Sequence, residues 1–212
     1  MEERKKICGY YDYTVILTYI GIFIGFTGIV FIMEGKYREA SICLMISGMC
    51  DMFDGTVAST KQRNRREKRF GIQIDSLSDL ICFGVLPALF VYSISGKNYM
   101  AFFVSGFYVL SALIRLAYFN VMEEERQEIE GGKRTWYLGL PVTAAAIFIP
   151  ACYVIQSELD CTAVMQIALI MMAVAFVLPF KIKKPYMAGK IGILFTGIIE
   201  FAILLLGLGL DV

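Results

Sequence analysis

Residues 50–87 read CDMFDGTVASTKQRNRREKRFGIQIDSLSDLICFGVLP, and this stretch decides the fold. Two apolar segments flank a strongly basic hinge at residues 61–70, and each segment carries two aspartates. Asp51 and Asp54 precede the hinge, whereas Asp75 and Asp79 follow it. Carboxylates are costly inside membrane-spanning helices and usually serve a function there, so these four are the first candidates for a site.

The composition of the whole chain predicts a membrane protein. Of its 212 residues, 58% are hydrophobic and 18% are charged, and the mean hydropathy is +0.65. Soluble domains are less apolar, and several apolar runs approach the length that spans a bilayer. Because backbone groups must be satisfied within each span, we expect an all-α integral membrane protein, a polytopic helical bundle that forms one domain over residues 1–212. The net charge of +1 gives no field that favours nucleic acid.

Seven apolar runs are candidate transmembrane helices, although six or eight helices remain open. The runs cover residues 14–33, 40–60, 72–95, 99–121, 138–156, 163–179 and 191–210. Gly21, Gly25 and Gly28 recur at helical spacing in the first run, which favours close packing against a neighbouring helix.

Lysine and arginine are distributed unevenly between the connections. If the N-terminus is cytoplasmic, the outer connections before residue 100 hold three basic residues, Lys36, Arg38 and Lys97. The hinge alone then places six on the inside: Lys61, Arg63, Arg65, Arg66, Lys68 and Arg69. The positive-inside rule therefore predicts a cytoplasmic N-terminus and a site that faces the cytoplasm, in a multi-pass protein of the cell membrane.

The spacing of the aspartates predicts that they converge. Asp51, Asp54, Gly55 and Ala58 follow a helical stripe, so they share one face of the second helix. Gly71, Asp75 and Asp79 are spaced by four and share one face of the third. Since the two helices are antiparallel, the pairs should meet at matching depths. The alternative is that single aspartates cap helices or pair with basic neighbours.

Four close carboxylates repel one another unless a cation compensates their charge. The chain has no histidine and no CxxC pair, so its donors are the oxygens that magnesium, manganese or calcium prefer, and zinc is disfavoured. Such a site suits a phosphate-bearing substrate, because a metal bridges phosphate oxygens and stabilises charge that develops in transfer. Gly55 and Ala58 keep the helix surface low and allow a bulky ligand to approach the backbone.

The pattern D-x-x-D-G-x-x-A, followed by G-x-x-x-D-x-x-x-D, resembles the signature of the CDP-alcohol phosphotransferases and covers residues 51–79. The segments DSLSDLICFGVLPA, ALIRLAYFNV and YLGLPVTAAA are similar in order and spacing to the phosphatidylserine synthase branch. The resemblance implies transfer of a phosphatidyl group from CDP-diacylglycerol to L-serine with release of CMP. It further implies Mg²⁺ or Mn²⁺ as cofactor, a membrane helical bundle and a homodimer.

The resemblance also implies residue roles. Asp51, Asp54 and Asp75 bind metal, and Asp79 is the general base, with a possible contact to a second metal. Asp51, Gly55 and Ala58 hold the cytidine nucleotide, with Gly71 also at the substrate. Where the family usually has arginine after the alanine, this chain has Ser59, and the gap to Gly71 is longer than usual. Lys61 or Arg63 is the candidate substitute as a phosphate contact, and the sequence does not choose between them.

Arg115 is a further intramembrane charge and a candidate ligand for a phosphate or for the serine carboxylate. A structural pairing or snorkelling is the alternative for this side chain. Tyr118 and Thr143 stand where the synthase branch usually has arginine and proline. A sister enzyme that uses glycerol 3-phosphate, inositol phosphate or choline therefore stays open. A cation transporter is the alternative from another class, although transport usually requires polar groups through both halves of the membrane.

Overall fold

The computed structural model of the chain describes residues 9–129, 136–159, 162–183 and 187–206. Within these ranges the chain is a bundle of eight α-helices. They are α1 (Tyr13–Met33), α2 (Tyr37–Ala58), α3 (Arg65–Asp79), α4 (Leu86–Ile94), α5 (Tyr99–Ile129), α6 (Ala145–Leu159), α7 (Ala163–Val177) and α8 (Met187–Leu206).

Four helical segments are long and apolar enough to cross a membrane: Tyr13–Met33, Tyr37–Ala58, Arg65–Ile94 and Tyr99–Glu125. Three shorter apolar helices follow in the described part of the chain. Large apolar side chains such as Phe23 and Phe103 point outwards, at 74% and 68% exposure, which suits a lipid-facing surface. This architecture fits a polytopic membrane protein. The number of spans and the side of the N-terminus remain predictions.

A short pair of strands interrupts the helical pattern. β1 (Trp136–Leu138) pairs antiparallel with β2 (Lys181–Lys183). The predicted fifth span therefore does not begin at residue 138, because a 3₁₀ turn at Val142–Ala144 leads into α6. Gly139 explains the bend: its φ is +73°, and a Cβ there would lie 3.1 Å from the carbonyl oxygen of Leu178. Only glycine adopts that conformation without strain.

α1 packs closely along α2 and also contacts α3 and α4. The predicted role of its glycines is confirmed, since all three are buried. A Cβ at Gly25 would lie 2.5 Å from Sγ of Cys82, and one at Gly28 would lie 2.8 Å from Cδ1 of Leu86. Small residues thus bring α1 within contact of the helix that follows α3.

α3 and α4 form one segment because a π-helical turn, Leu80–Val85, joins them directly after Asp79. Pro87 has no N–H group for the carbonyl of Phe83, four residues earlier. The hydroxyl of Tyr108 on α5 donates a hydrogen bond of 2.8 Å to that oxygen instead. Tyr108 is fully buried, so this bond satisfies both its hydroxyl group and the carbonyl of Phe83. α5 therefore fixes the segment immediately after the last aspartate.

The basic hinge is shorter than the predicted 61–70, because α3 already begins at Arg65. Asn64 caps the helix: its side chain accepts from the N–H of Glu67 at 2.9 Å, and Glu67 accepts from the N–H of Asn64 at 2.8 Å. This reciprocal capping box satisfies two backbone donors and starts the helix within the basic run. Four of the six basic residues therefore lie on the first turns of α3.

Candidate active site

The four aspartates line one cavity between α1, α2 and α3. Two helices thus contribute one pair of carboxylates each, and α1 closes the side of the cavity. The other lining residues are Leu17, Thr18, Gly21, Ser47, Cys50, Ser78, Cys82 and Phe83. The cavity is therefore acidic on two walls and small or apolar elsewhere.

The carboxyl groups face each other across the cavity in two pairs. Asp51 lies beside Asp79, and Asp54 lies beside Asp75. This is the register of two antiparallel helices. One oxygen each from Asp51, Asp54 and Asp75 lies within 4.8 Å of the others. Asp79 is outside that set of three and lies one turn beyond Asp75.

The residues present fit a divalent cation. Three converging carboxylate oxygens are hard ligands of the kind that Mg²⁺ and Mn²⁺ prefer. Oδ1 of Asp75 is buried and has no hydrogen-bond partner in the described part of the chain. A buried carboxylate oxygen without a donor is costly, and a bound cation would satisfy it.

α1 contributes a polar contact that the sequence analysis missed. The hydroxyl of Thr18 donates to Oδ2 of Asp54 over 3.2 Å, and Thr18 is buried. Next to it, the hydroxyl of Ser47 donates to the carbonyl of Gly21 over 3.0 Å and ties α2 to α1. The available signal was the spacing of Thr18 and Gly21, which places both on one face of α1.

The small residues of the signature differ in their surroundings. Gly55 is exposed, and a Cβ there would meet nothing within 4 Å. Ala58 is half-buried in the last turn of α2. Gly71 lies beneath the side chain of Arg63, since a Cβ at Gly71 would be 2.8 Å from Nη1 of that guanidinium. The glycine on α2 is therefore open to a ligand, whereas the glycine on α3 has a basic neighbour.

Lys61 is engaged on the side of the hinge that faces α1. Its Nζ donates to Oδ2 of Asp12 at 2.8 Å and lies 4.0 Å from Oε1 of Glu67. Asp12 also caps α1 by accepting from the N–H and the hydroxyl of Thr14. The hydrogen bond from Lys61, reinforced by Thr14, lowers the pKa of Asp12 to about 2. Lys61 thus fastens the hinge to the start of α1.

Arg115 is buried on α5 but does not line the cavity in the described structure. Its Nε donates to the carbonyl of Leu140 over 3.1 Å, and its guanidinium lies 5.7 Å from the ring centre of Phe119. These contacts hold the bend before α6. Asn120, also on α5, contacts α3 next to Asp75, because Ser76 donates to its side-chain oxygen over 2.8 Å.

Residues 14–180 match the model of the CDP-alcohol phosphatidyltransferase family, which is most of the chain. The chain belongs to the CDP-alcohol phosphatidyltransferase family. The family predicted from residues 51–79 is therefore confirmed. Asp51, Asp54, Asp75 and Asp79 all lie within the matched residues.

Several named proteins are similar to this chain. Archaetidylserine synthase of Methanothermobacter thermautotrophicus is 32% identical over 89% of this chain and 76% of its own length. CDP-diacylglycerol–serine O-phosphatidyltransferase of Helicobacter pylori is 29% identical over 70% of this chain and 60% of its own length. The Saccharomyces cerevisiae protein of the same name is 33% identical over 68% of this chain and 54% of its own length. The chain thus spans only part of each relative.

Proposed function

We propose that this protein is a phosphatidylserine synthase, which transfers the phosphatidyl group of CDP-diacylglycerol to the hydroxyl of L-serine and releases CMP. The observation that carries the proposal is the convergence of four signature carboxylates in one cavity of a CDP-alcohol phosphatidyltransferase. The names of the Helicobacter pylori and Saccharomyces cerevisiae relatives support serine as the acceptor.

Asp79 removes the proton from the serine hydroxyl in this mechanism. The serine Oγ then forms a bond to the phosphorus that carries the lipid, and the bond from that phosphorus to the CMP oxygen breaks. Asp79 is suited to this role because it lies beside the set of three converging carboxylates and not within it. Its position at the end of α3 is fixed by the π-helical turn that follows. The proton ends on the carboxylate, and CMP leaves with the bonding electron pair.

Asp51, Asp54 and Asp75 hold the metal in this proposal, and the hydroxyl of Thr18 orients Asp54. Bound Mg²⁺ or Mn²⁺ supplies the positive charge that neutralises the diphosphate and the charge developing during transfer. Asp51, Gly55 and Ala58 receive the cytidine nucleotide, and the open surface at Gly55 supports that assignment. Arg115 acts at a distance here, by positioning the bend at Leu140.

The basic residues around the hinge support a site that faces the cytoplasm, in a multi-pass protein of the cell membrane with a cytoplasmic N-terminus. The family resemblance supports a homodimer. Size-exclusion chromatography with light scattering tests the dimer. The orientation of the protein in the membrane is tested by introducing single cysteines into the hinge and labelling them in intact cells.

An ether-lipid donor is a second candidate, because the Methanothermobacter thermautotrophicus relative is named archaetidylserine synthase and aligns with 89% of this chain. The acceptor and the reaction are the same in both proposals, and only the lipid attached to CDP differs. The sister acceptors glycerol 3-phosphate, inositol phosphate and choline share the chemistry at phosphorus and are therefore part of the same test.

The deciding experiment incubates purified protein with CDP-diacylglycerol, or its ether-lipid counterpart, and with each acceptor alcohol in turn. We expect CMP and a serine phospholipid in the presence of Mg²⁺ or Mn²⁺, and none after treatment with EDTA. Restoring either metal should restore turnover. A product with glycerol 3-phosphate or inositol phosphate, and none with serine, contradicts the proposed acceptor. Metal flux into proteoliposomes without any CDP-lipid would favour a transporter.

A further inference from the structure

Arg63 lies against the aspartate-bearing face of α3. Its side chain is half-buried, and the guanidinium covers Gly71: a Cβ at that glycine would lie 2.8 Å from Nη1 and 3.9 Å from Cζ. Gly71 precedes Asp75 by four residues, which is about 6 Å along the helix. The guanidinium therefore covers a position of α3 that lies about one turn from Asp75, on the side of the hinge.

Two other basic residues of the hinge have acidic neighbours. Lys61 binds Asp12, and Nε of Arg69 lies 3.9 Å from Oε1 of Glu124. Four of these residues are exposed at the surface: Arg65, Arg66, Lys68 and Arg69. Lys61 and Arg63 are the two half-buried ones, and only Lys61 has an acidic partner within 4.0 Å in the part of the chain described. Arg63 is thus a partly desolvated cation without a carboxylate partner among the described residues.

Ser59 cannot supply the charge that arginine usually brings to this position of the family signature. Its hydroxyl donates back to the carbonyl of Thr56 over 2.7 Å, within the last turn of α2. That bond only terminates the helix. The basic side chains nearest in the sequence to a diphosphate beside Ala58 are those of the longer hinge.

We infer that Arg63 binds the diphosphate of the CDP-lipid and replaces the arginine that the family usually has at the position of Ser59. The inference rests on the proposed function and selects Arg63 over Lys61. A guanidinium offers paired N–H donors to phosphate oxygens, and it binds them more strongly than a neutral donor does. The absence of a side chain at Gly71 leaves space for the guanidinium of Arg63 against α3.

The test measures CDP binding in the presence of Mn²⁺, by calorimetry on the full-length protein in detergent. Arg63→Ala should weaken CDP binding about ten- to a hundredfold, the range expected for losing a charge-assisted hydrogen bond. Cytidine, which lacks the diphosphate, should bind to the variant about as well as to the wild type. Arg66→Ala is the matched control, because Arg66 is an exposed arginine of the same basic run. It should change CDP affinity less than about twofold.

Two further variants sharpen the test. Ser59→Arg in the Arg63→Ala background should restore most of the lost affinity, because it returns the charge to the usual position. Gly71→Ala should weaken CDP binding as well, since the new methyl group displaces a flexible guanidinium and not the backbone. Equal losses in Arg63→Ala and Arg66→Ala, or no loss in Arg63→Ala, overturn the inference. CDP binding requires no acceptor, so a wild type that binds CDP but makes no serine lipid refutes the proposed function alone. A wild type that does not bind CDP refutes both.

Discussion

α2 and the continuous segment from α3 to α4 each have a packed half and an acidic half, and these two halves differ sharply. The packed half, residues 40–47 of α2 and 80–91 of the π-helical turn and α4, contains most of the buried side chains of these elements. The acidic half, residues 51–58 of α2 and 65–79 of α3, contains no fully buried residue. Large apolar side chains of the packed half, such as Leu44, Phe83 and Phe90, are almost inaccessible to solvent.

The difference shows how the bundle accommodates four carboxylates. The packed half contributes apolar burial, at about 25 cal/mol for each Å² removed from contact with water. The acidic half contributes little burial and holds like charges close together, which opposes folding. The stability of these helices therefore comes from one half, and the chemistry from the other. Variants in the two halves should consequently change different measurements.

Removing the charge of Asp79 should have the largest effect. We expect Asp79→Asn to lower kcat by roughly 10²–10⁴-fold, because the amide cannot accept the serine proton. Metal-dependent CDP binding should persist, since Asp51, Asp54 and Asp75 are unchanged. Asp75→Asn is the matched comparison: it alters one of the three converging ligands, so it should weaken Mn²⁺-dependent CDP binding as well as turnover. Full activity of Asp79→Asn would exclude this residue as the base.

Replacing each of two glycines of α2 with alanine should affect protein stability differently in the two halves. A Cβ at Gly48, beside the packed half, would lie 2.6 Å from Cβ of Ala146 on α6, and neither atom can rotate away. Gly48→Ala should therefore destabilise the protein by about 1–3 kcal/mol, as overpacking does. Gly55→Ala meets nothing within 4 Å and should be neutral or stabilising, by up to about 1 kcal/mol from helix propensity.

The KM for the CDP-lipid should change in Gly55→Ala, the variant whose stability is unaffected or improved. If a nucleotide lies on the backbone at Gly55, the added methyl group raises the KM for the CDP-lipid, whereas folded Gly48→Ala protein keeps a normal KM. Thermal unfolding in detergent and steady-state kinetics on the same preparations provide both measurements. A normal KM for Gly55→Ala would mean that the nucleotide does not approach this surface.

Much of the acidic half was predictable from the sequence because its signals are local. Helical spacing places Asp51 with Asp54 and Asp75 with Asp79, and the antiparallel order of α2 and α3 follows from a short hinge. The family followed from the same residues and is confirmed by the match over residues 14–180. The start of α3 at Arg65 was also encoded locally, in the capping box of Asn64 and Glu67, but the basic run concealed it.

The packed half and its contacts were less predictable, because they join residues distant in the sequence. Nothing local indicates that Tyr108 satisfies the carbonyl left without a donor by Pro87, or that a π-helical turn follows Asp79. The bond from Thr18 to Asp54 likewise depends on how α1 lies against α2. The interaction of β1 with β2 joins segments more than 40 residues apart, so the apolar run from residue 138 suggested a helix instead.

The smallest expected effect concerns the contact that fastens the acidic half to α1. Asp12→Asn should preserve the cap of α1, because asparagine is also a good N-cap residue, while removing the charge that binds Lys61. The pKa of Asp12 is lowered from 3.8 to about 2 in the folded protein, so its ion pair stabilises the fold fully above pH 3.8 and is lost as the pH falls through about 2. At pH 7 we expect Asp12→Asn to unfold at a temperature lower by at most roughly a few degrees, since ion pairs that remain partly accessible to solvent contribute little. Melting curves of both proteins between pH 7 and pH 2 should converge at the acidic end. A difference that stays constant over this range would mean that the charge of Asp12 is not what holds the hinge to α1.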